Sequence, residues 1–294
     1  MSAPSFTRRS ALAAGTAGLA GAALAARPAA AAPPEDPAPV DAKRGRLQQS
    51  VCRWCFNKMS LDELCGHAAD LGLVGIDLIR PGADFETLKK HGLVCTMTSS
   101  HGLSNGLCEP DFHADCLAKL EASIEATAAE GWRNVITFSG NARGIDPAFG
   151  LENCAKALEQ IVPLAEKKNV TICMELLNSK VNHPDYLCDT SAWGVKLVDR
   201  VASDRFKLLY DIYHMQIMEG DLIRTIKTHK DAFGHYHTAG NPGRNELNDK
   251  QELQYRPIAE AIADAGFDGY FAHEFVPRGD PLAGLSQAVQ LCTV

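Results

Sequence analysis

The stretch Phe206–Gly220, FKLLYDIYHMQIMEG, decides how the rest of the chain is interpreted. Its apolar start, which includes Leu208 and Leu209, predicts a buried β-strand. Asp211 and His214 follow where that strand ends, and a helix-like segment comes next. In parallel α/β proteins ligands bind at the carboxyl ends of strands, so these two side chains can serve one site. The alternative is structural: Asp211 caps the next helix and His214 packs in the core.

Strand-like runs recur along the chain with helical stretches between them, which predicts a parallel α/β fold. We expect strands at Ser50–Trp54, Val74–Ile79, Val94–Ser99, Asn134–Phe138, Val170–Glu175, Lys207–Asp211, Gly234–His237 and Gly269–Glu274. The predicted helices are Leu61–Leu71, Phe112–Glu130, Glu152–Lys168, Ala192–Val201, Asp221–Thr228 and Pro257–Ala265. A doubly wound sheet is the alternative, but no GxGxxG follows the first strand and no GxxxxGK[ST] occurs. Eight strands therefore favour a single-domain (β/α)₈ TIM barrel over residues 47–294.

The first 32 residues have the features of a bacterial twin-arginine (Tat-type) export signal. Arg8 and Arg9 precede an apolar run over residues 11–26, and small residues at 29–32 suit an A-x-A cleavage site. The run is short and only mildly apolar, which argues against a stable membrane anchor. A disordered Ala-rich tail is the alternative, and a Pro-rich linker covers residues 33–46. We therefore expect a periplasmic or secreted protein.

Charge and cysteine content narrow the functional classes. The formal net charge is -7 and no basic block lies outside the first 32 residues, which argues against nucleic acid as a partner. Ten cysteines are spread along the chain without the spacing of a small disulfide scaffold, although export would allow some to oxidise. Cys95 and Cys173 fall in predicted strands, where we expect small buried hydrophobes. Cys52 and Cys55 form one CxxC pair, which favours neither structural zinc nor thioredoxin-like chemistry.

Four consecutive predicted strands end in an ionisable group where an apolar core residue would be expected. These groups are Glu175, Asp211, His237 and Glu274, and their separations of 36, 26 and 37 residues each fit one βα repeat. Burying one such group without a partner costs several kcal/mol, so a shared partner best explains all four. Three carboxylates and one imidazole suit Mn²⁺, Mg²⁺ or Co²⁺ better than structural zinc. The alternative is four unrelated features, such as helix caps, an ion pair and a core histidine.

The chain resembles the hydroxypyruvate isomerase family, within the xylose isomerase-like TIM-barrel superfamily, over about residues 48–290. The segments that carry the resemblance are ICMELLNSKVNHPDY (172–186), FKLLYDIYHMQIMEGDLIRTI (206–226), GHYHTAGNPGRNEL (234–247) and GYFAHEF (269–275). The resemblance implies one divalent metal ion, and its implied ligands are Glu175, Asp211, His237 and Glu274. It also implies that Glu175 and Glu274 act as the acid/base pair.

Within the resembling segments, two residues match substrate-binding positions and two residues differ from the pattern of a related family. His214 and Arg244 match positions that contact substrate in related ketose epimerases, which implies the same role here. On the residues alone, Arg244 could also be a surface loop arginine. Some hydroxypyruvate isomerases carry Gln where this chain has His237, so the chain departs toward the epimerases. Epimerases often carry a substrate-binding Glu where this chain has Val181, which is a departure in the other direction.

The activity implied by the resemblance is conversion of hydroxypyruvate to 2-hydroxy-3-oxopropanoate by proton transfer through an enediolate. Three alternatives stay open: a ketose or sugar 3-epimerase with the same site, a metal-dependent endonuclease, and a non-catalytic exported sugar- or metal-binding protein. The acidic charge balance argues against the nuclease, and the pair of glutamates argues against a pure binding protein. The expected partner is a small hydroxy-carbonyl compound or a sugar, and a homo-oligomer is compatible with the sequence.

Overall fold

Eight parallel strands close into a barrel in the computed structural model, which describes residues 45–294. The strands follow one another in chain order, and β1 pairs with β8 to close the barrel. They are β1 (Gln48–Cys52), β2 (Gly75–Ile79), β3 (Val94–Thr98), β4 (Asn134–Thr137), β5 (Thr171–Glu175), β6 (Phe206–Asp211), β7 (Phe233–Thr238) and β8 (Tyr270–His273). The predicted barrel and its eight strands are confirmed, with strand ends shifted by one or two residues. The predicted export signal, and the linker up to residue 44, lie outside the described residues.

Helices connect the strands and pack around the outside of the barrel. Within residues 45–294 they are α1 (Leu61–Asp70), α2 (Asp84–Lys90), α3 (His113–Ala129), α4 (Pro147–Lys168), α5 (Ser191–Val201), α6 (Ile212–Met218), α7 (Leu222–Thr228), α8 (Tyr255–Asp264) and α9 (Pro281–Cys292). The six predicted helices are confirmed, whereas α2, α6 and α9 were not among the predicted ranges. None of the helices in this part of the chain combines the length and apolar character needed to cross a bilayer.

The strand pleat decides which side chains enter the barrel. A small apolar cluster that includes Cys173 of β5 and Leu209 of β6 fills the interior. Residues two apart on a strand face the same side, so Glu175 and Asp211 also point inward, one step nearer the carboxyl ends. Asp211 lies directly opposite His237 in the β6–β7 register. The same alternation that packs the interior therefore places the polar groups above it.

All ten cysteines are buried free thiols. Cys95 and Cys173 are fully enclosed, as predicted for small hydrophobes in strands. Burial is the largest influence on every one of these thiols, and it raises the pKa of each above the usual value. The cysteines therefore act mainly as core residues rather than as cross-links.

Candidate metal centre and active site

The four side chains predicted as metal ligands converge at the carboxyl end of the barrel. Glu175 and Asp211 are the last residues of β5 and β6, His237 is the penultimate residue of β7, and Glu274 directly follows β8. One ligand atom from each lies within 4.8 Å of the others, and all four side chains are buried. The structure thus brings together one imidazole and three carboxylates from four adjacent strands.

His237 lies between two of the carboxylates. Its Nδ1 is 2.9 Å from Oε2 of Glu274 and 3.4 Å from Oε1 of Glu175. Oε1 of Glu175 is buried and has no hydrogen-bond partner in the described part of the chain. One nitrogen and several carboxylate oxygens therefore face a common point from different strands, as coordination of one cation requires.

Arg244 reaches the same cluster from the loop after β7. Its Nη2 donates to Oε2 of Glu274 and lies 3.6 Å from Oδ2 of Asp211. Gly243 and Arg244 both have positive φ angles, 100° and 58°, which turn the loop back over the barrel mouth. The backbone carbonyl of Arg244 accepts a 2.7 Å hydrogen bond from Val276, which ties this loop to the segment after β8. The alternative of a surface arginine is wrong, because the Arg244 side chain is only 15% exposed.

Trp54 is a neighbour of the cluster that the sequence did not reveal. Its indole Nε1 donates to Oε1 of Glu274 at 2.7 Å, and the Arg244 guanidinium lies 5.1 Å from the centre of its ring. The prediction that β1 extends to Trp54 is wrong. The strand ends at Cys52, and a short 3₁₀-helix, Arg53–Phe56, begins there. Continuation as a strand would have paired the Trp54 backbone with the sheet, whereas the helical turn brings its ring to Glu274.

The backbone N–H of His214 is capped by Asp211, and the His214 ring also faces the site. Oδ1 of Asp211 accepts a 3.1 Å hydrogen bond from the His214 backbone N–H and caps α6, so the structural interpretation of Asp211 holds together with its place in the cluster. Nδ1 of His214 accepts from the backbone N–H of Asn178, which leaves the proton of a neutral ring on Nε2. That Nε2 lies 3.6 Å from Oδ2 of Asp211. Burial lowers the pKa of His214 well below its usual value, so the ring is neutral at pH 7.

The charge balance of the cluster tests whether a divalent cation fits. Burial raises the pKa of Asp211 to about 8 and also raises that of Glu175. Burial would raise the pKa of Glu274 too, but Arg244 and His237 hold it well below its usual range. Three buried carboxylates thus share one guanidinium and one imidazole, which do not compensate all of them. The oxygen-rich donor set and the orphaned Glu175 oxygen fit a hard divalent ion.

The chain is similar in sequence to known proteins of one TIM-barrel family. Residues 68–292 match the family described as xylose isomerase-like TIM barrel. The hydroxypyruvate isomerase of Escherichia coli (strain K12) is 34% identical over 113 residues, which are 37% of this chain and 43% of that protein. The D-psicose 3-epimerase of Ruminiclostridium cellulolyticum is 29% identical over 204 residues, 64% of this chain and 67% of that protein.

A solved structure of similar fold is the AP endonuclease, family 2, from Brucella melitensis. It superposes with a TM-score of 0.75 at 24% identity and covers 83% of this chain and 99% of that chain. The aligned segments span between 41% and 53% of the length of the first curated relatives that the chain matches. The family match covers more than half of the sequence. The chain therefore belongs to the xylose isomerase-like TIM barrel family.

Proposed function

We propose that this protein is a divalent-metal-dependent isomerase that converts hydroxypyruvate to 2-hydroxy-3-oxopropanoate. The observation that carries the proposal is the pair Glu175 and Glu274, which approach one imidazole nitrogen of His237 from two strand ends. Arg244 supplies a buried cation next to that pair. The similarity to the E. coli hydroxypyruvate isomerase supports a small hydroxy-carbonyl substrate.

The proposed metal ligands are Glu175, Asp211, His237 and Glu274. Three carboxylates and one imidazole favour Mn²⁺ or Mg²⁺, with Co²⁺ as a further candidate. When bound, such an ion would polarise the substrate oxygens on the two carbons that exchange a proton. Ligation would also keep both glutamates ionised and fixed in place.

The isomerisation moves a proton between two neighbouring carbons. One of Glu175 and Glu274 removes a proton from C3 of hydroxypyruvate, which gives an enediolate, and the other delivers a proton to C2. The hydroxyl proton on O3 moves to O2 in the same conversion, so the atoms balance. Arg244 would pair with the substrate carboxylate in a two-pronged contact. His214, whose Nε2–H faces the site, would donate to the developing oxyanion.

A ketose 3-epimerase is the second candidate. That reaction removes and returns a proton at one carbon, so it also needs two carboxylates. His237 favours it, because the resemblance places His at this position in the epimerase ligand set, and a D-psicose 3-epimerase is among the relatives. Val181 argues against it, since its side chain is exposed where many epimerases carry a substrate-binding Glu.

The deciding experiment offers both substrates to the metal-treated full chain. The protein is stripped with EDTA, reloaded separately with Mn²⁺, Mg²⁺ or Co²⁺, and incubated with hydroxypyruvate or with D-psicose. We expect ¹H NMR to show 2-hydroxy-3-oxopropanoate with at least one ion and none with EDTA. Turnover of D-psicose alone would reject hydroxypyruvate as substrate in favour of the epimerase. Turnover of neither substrate with any ion would contradict both candidates.

Export is also proposed, because the twin arginine and the mildly apolar run are those of a Tat-type signal. The substrate would then be met in the periplasm or outside the cell.

A further inference from the structure

Asp77 is a buried carboxylate in the barrel interior that the mechanism above does not use. It belongs to β2 and its side chain is fully enclosed. The β2–β3 register shifts on both sides of Asp77, and the next residue, Leu78, has a φ of 59°. Such irregularities re-aim a side chain relative to a regular strand. A carboxylate in this position requires several polar partners, since burial of an unpaired charge is costly.

Both oxygens of Asp77 have such partners. Oδ2 lies 2.8 Å from Nε2 of His237 and accepts a weaker contact from the Cys52 thiol at 3.5 Å. Oδ1 accepts from the hydroxyl of Thr96 and lies 3.3 Å from Nε2 of His235. The carboxylate is therefore held from several strands, and one of its oxygens is fixed against the metal-facing histidine.

Both nitrogens of His237 face carboxylates, on opposite sides of the ring. Nε2 faces Asp77, whereas Nδ1 faces Glu175 and Glu274. A metal ion that replaced the proton on Nδ1 would leave a neutral ring with one proton, and a proton on Nε2 frees the lone pair of Nδ1 for that ion. We infer that Asp77 is a positioning residue, which fixes the ring orientation and tautomer of His237 so that Nδ1 is the ligand atom. This inference rests on the proposed metal site.

The expected effect of replacing Asp77 on metal affinity follows from other sites in which a carboxylate holds a metal-binding histidine. Loss of such an outer partner weakens metal affinity by about 10- to 100-fold. Asp77→Asn is nearly isosteric and tests this expectation, because the amide loses the charge that stabilises the Nε2 proton. Thr96→Val is the milder companion variant, since it removes only one hydrogen bond that orients Asp77. We expect a smaller loss of affinity from Thr96→Val than from Asp77→Asn.

The experiment titrates Mn²⁺ by calorimetry into the full chain and its variants, and measures each melting temperature in EDTA. We expect Asp77→Asn to bind Mn²⁺ about 10- to 100-fold more weakly than the parent. In a His237→Gln background, which has no ring to orient, Asp77→Asn should have no further effect. Equal weakening in both backgrounds, together with a lower melting temperature in EDTA, would mean a general structural role and would overturn the inference.

Four other outcomes also test the inference. If the parent binds Mn²⁺ and Asp77→Asn binds it equally tightly, this inference fails while the metal site stands. If the parent binds two ions and Asp77→Asn binds one, Asp77, His235 and His237 form a second metal site and Asp77 is a ligand. If the parent binds neither Mn²⁺, Mg²⁺ nor Co²⁺, the proposed function fails and the inference fails with it. Should Asp77→Asn not fold, unchanged affinity in Thr96→Val would count against the inference.

Discussion

Replacement of Glu274 with Gln separates proton transfer from metal binding. In the parent, Oε2 of Glu274 accepts from Arg244, and Oε1 accepts from Trp54. A Gln amide has one acceptor oxygen, so its NH₂ group must face one of these two donors. A buried donor left without an acceptor costs about 1–3 kcal/mol. With a shift of about 2–4 °C per kcal/mol for a domain of this size, the variant should melt roughly 2–12 °C lower in EDTA.

The effect of Glu274→Gln on turnover should exceed its effect on folding. General acid–base catalysis contributes about 10²- to 10⁴-fold, and each factor of ten corresponds to about 1.4 kcal/mol of barrier. The variant should therefore lose about 2.7–5.4 kcal/mol of transition-state stabilisation with metal saturating. Asp211→Asn is the matched control, because it replaces an equally buried carboxylate that has no proposed proton-transfer role. Its Oδ1 can still cap α6, and its activity should recover in part at high metal concentration.

The decisive assay measures solvent-deuterium incorporation into the substrate with metal held saturating. Slow exchange in Glu274→Gln, and faster exchange in Asp211→Asn, is the expected pattern. Exchange in Glu274→Gln at the parent rate would show that Glu274 is only a ligand, and the two-glutamate mechanism would be wrong.

Three further predictions concern metal, pH and export. Mn²⁺ at 100 times its Kd should stabilise the fold by about 2.7 kcal/mol and raise Tm by roughly 5–11 °C in calorimetry, and no rise with Mn²⁺, Mg²⁺ or Co²⁺ would contradict the metal site. Burial lowers the pKa of His101, so below about pH 6.5 the unfolded state binds a proton at this residue more readily than the folded state. The free energy of unfolding should therefore decrease as the pH is lowered below about 6.5, by up to about 1.4 kcal/mol per pH unit from this residue. An equally steep decrease in urea titrations of His101→Gln would refute this prediction. Replacing Arg8 and Arg9 together with Lys should retain the protein in the cytosol, and undiminished periplasmic accumulation would exclude a Tat-type signal.

The fold could be predicted because its signals are local. Most of the strands contain short apolar runs, and ionisable groups follow those runs at the ends of β5, β6 and β8. Helix α2 is not predicted from the sequence, because it has seven residues and buries only Phe85 and Leu88, too few for a periodic pattern. Helix α9 does carry local signals, since Asp280 caps it and Pro281 occupies its first turn. Those signals are local, so the start of α9 is predictable from the sequence.

The site could be predicted only in part, because some of its residues depend on tertiary geometry. Trp54 reaches Glu274 through a 3₁₀ turn that starts at Arg53, one residue before the predicted end of the strand. Asp77 sits inside the apolar run GIDLI, and its inward direction depends on the irregular backbone around Leu78. Arg244 was known only from the resemblance, since no local pattern fixes the path of the loop that carries it. Register irregularities and loop paths arise from packing, which a single sequence does not display.

The buried thiols can serve as probes of local and global opening of the folded chain. Alkylation or disulfide exchange needs an accessible thiolate, and here burial withholds access and disfavours ionisation together. A reagent therefore reacts only after a local or global opening exposes the thiol. The labelling rate at each cysteine would report how often the structure around it opens. In an oxidising compartment the same delay would govern unwanted pairing between cysteines. The lifetime of the reduced protein would then be set by the unfolding rate, rather than by the strength of the oxidant around it.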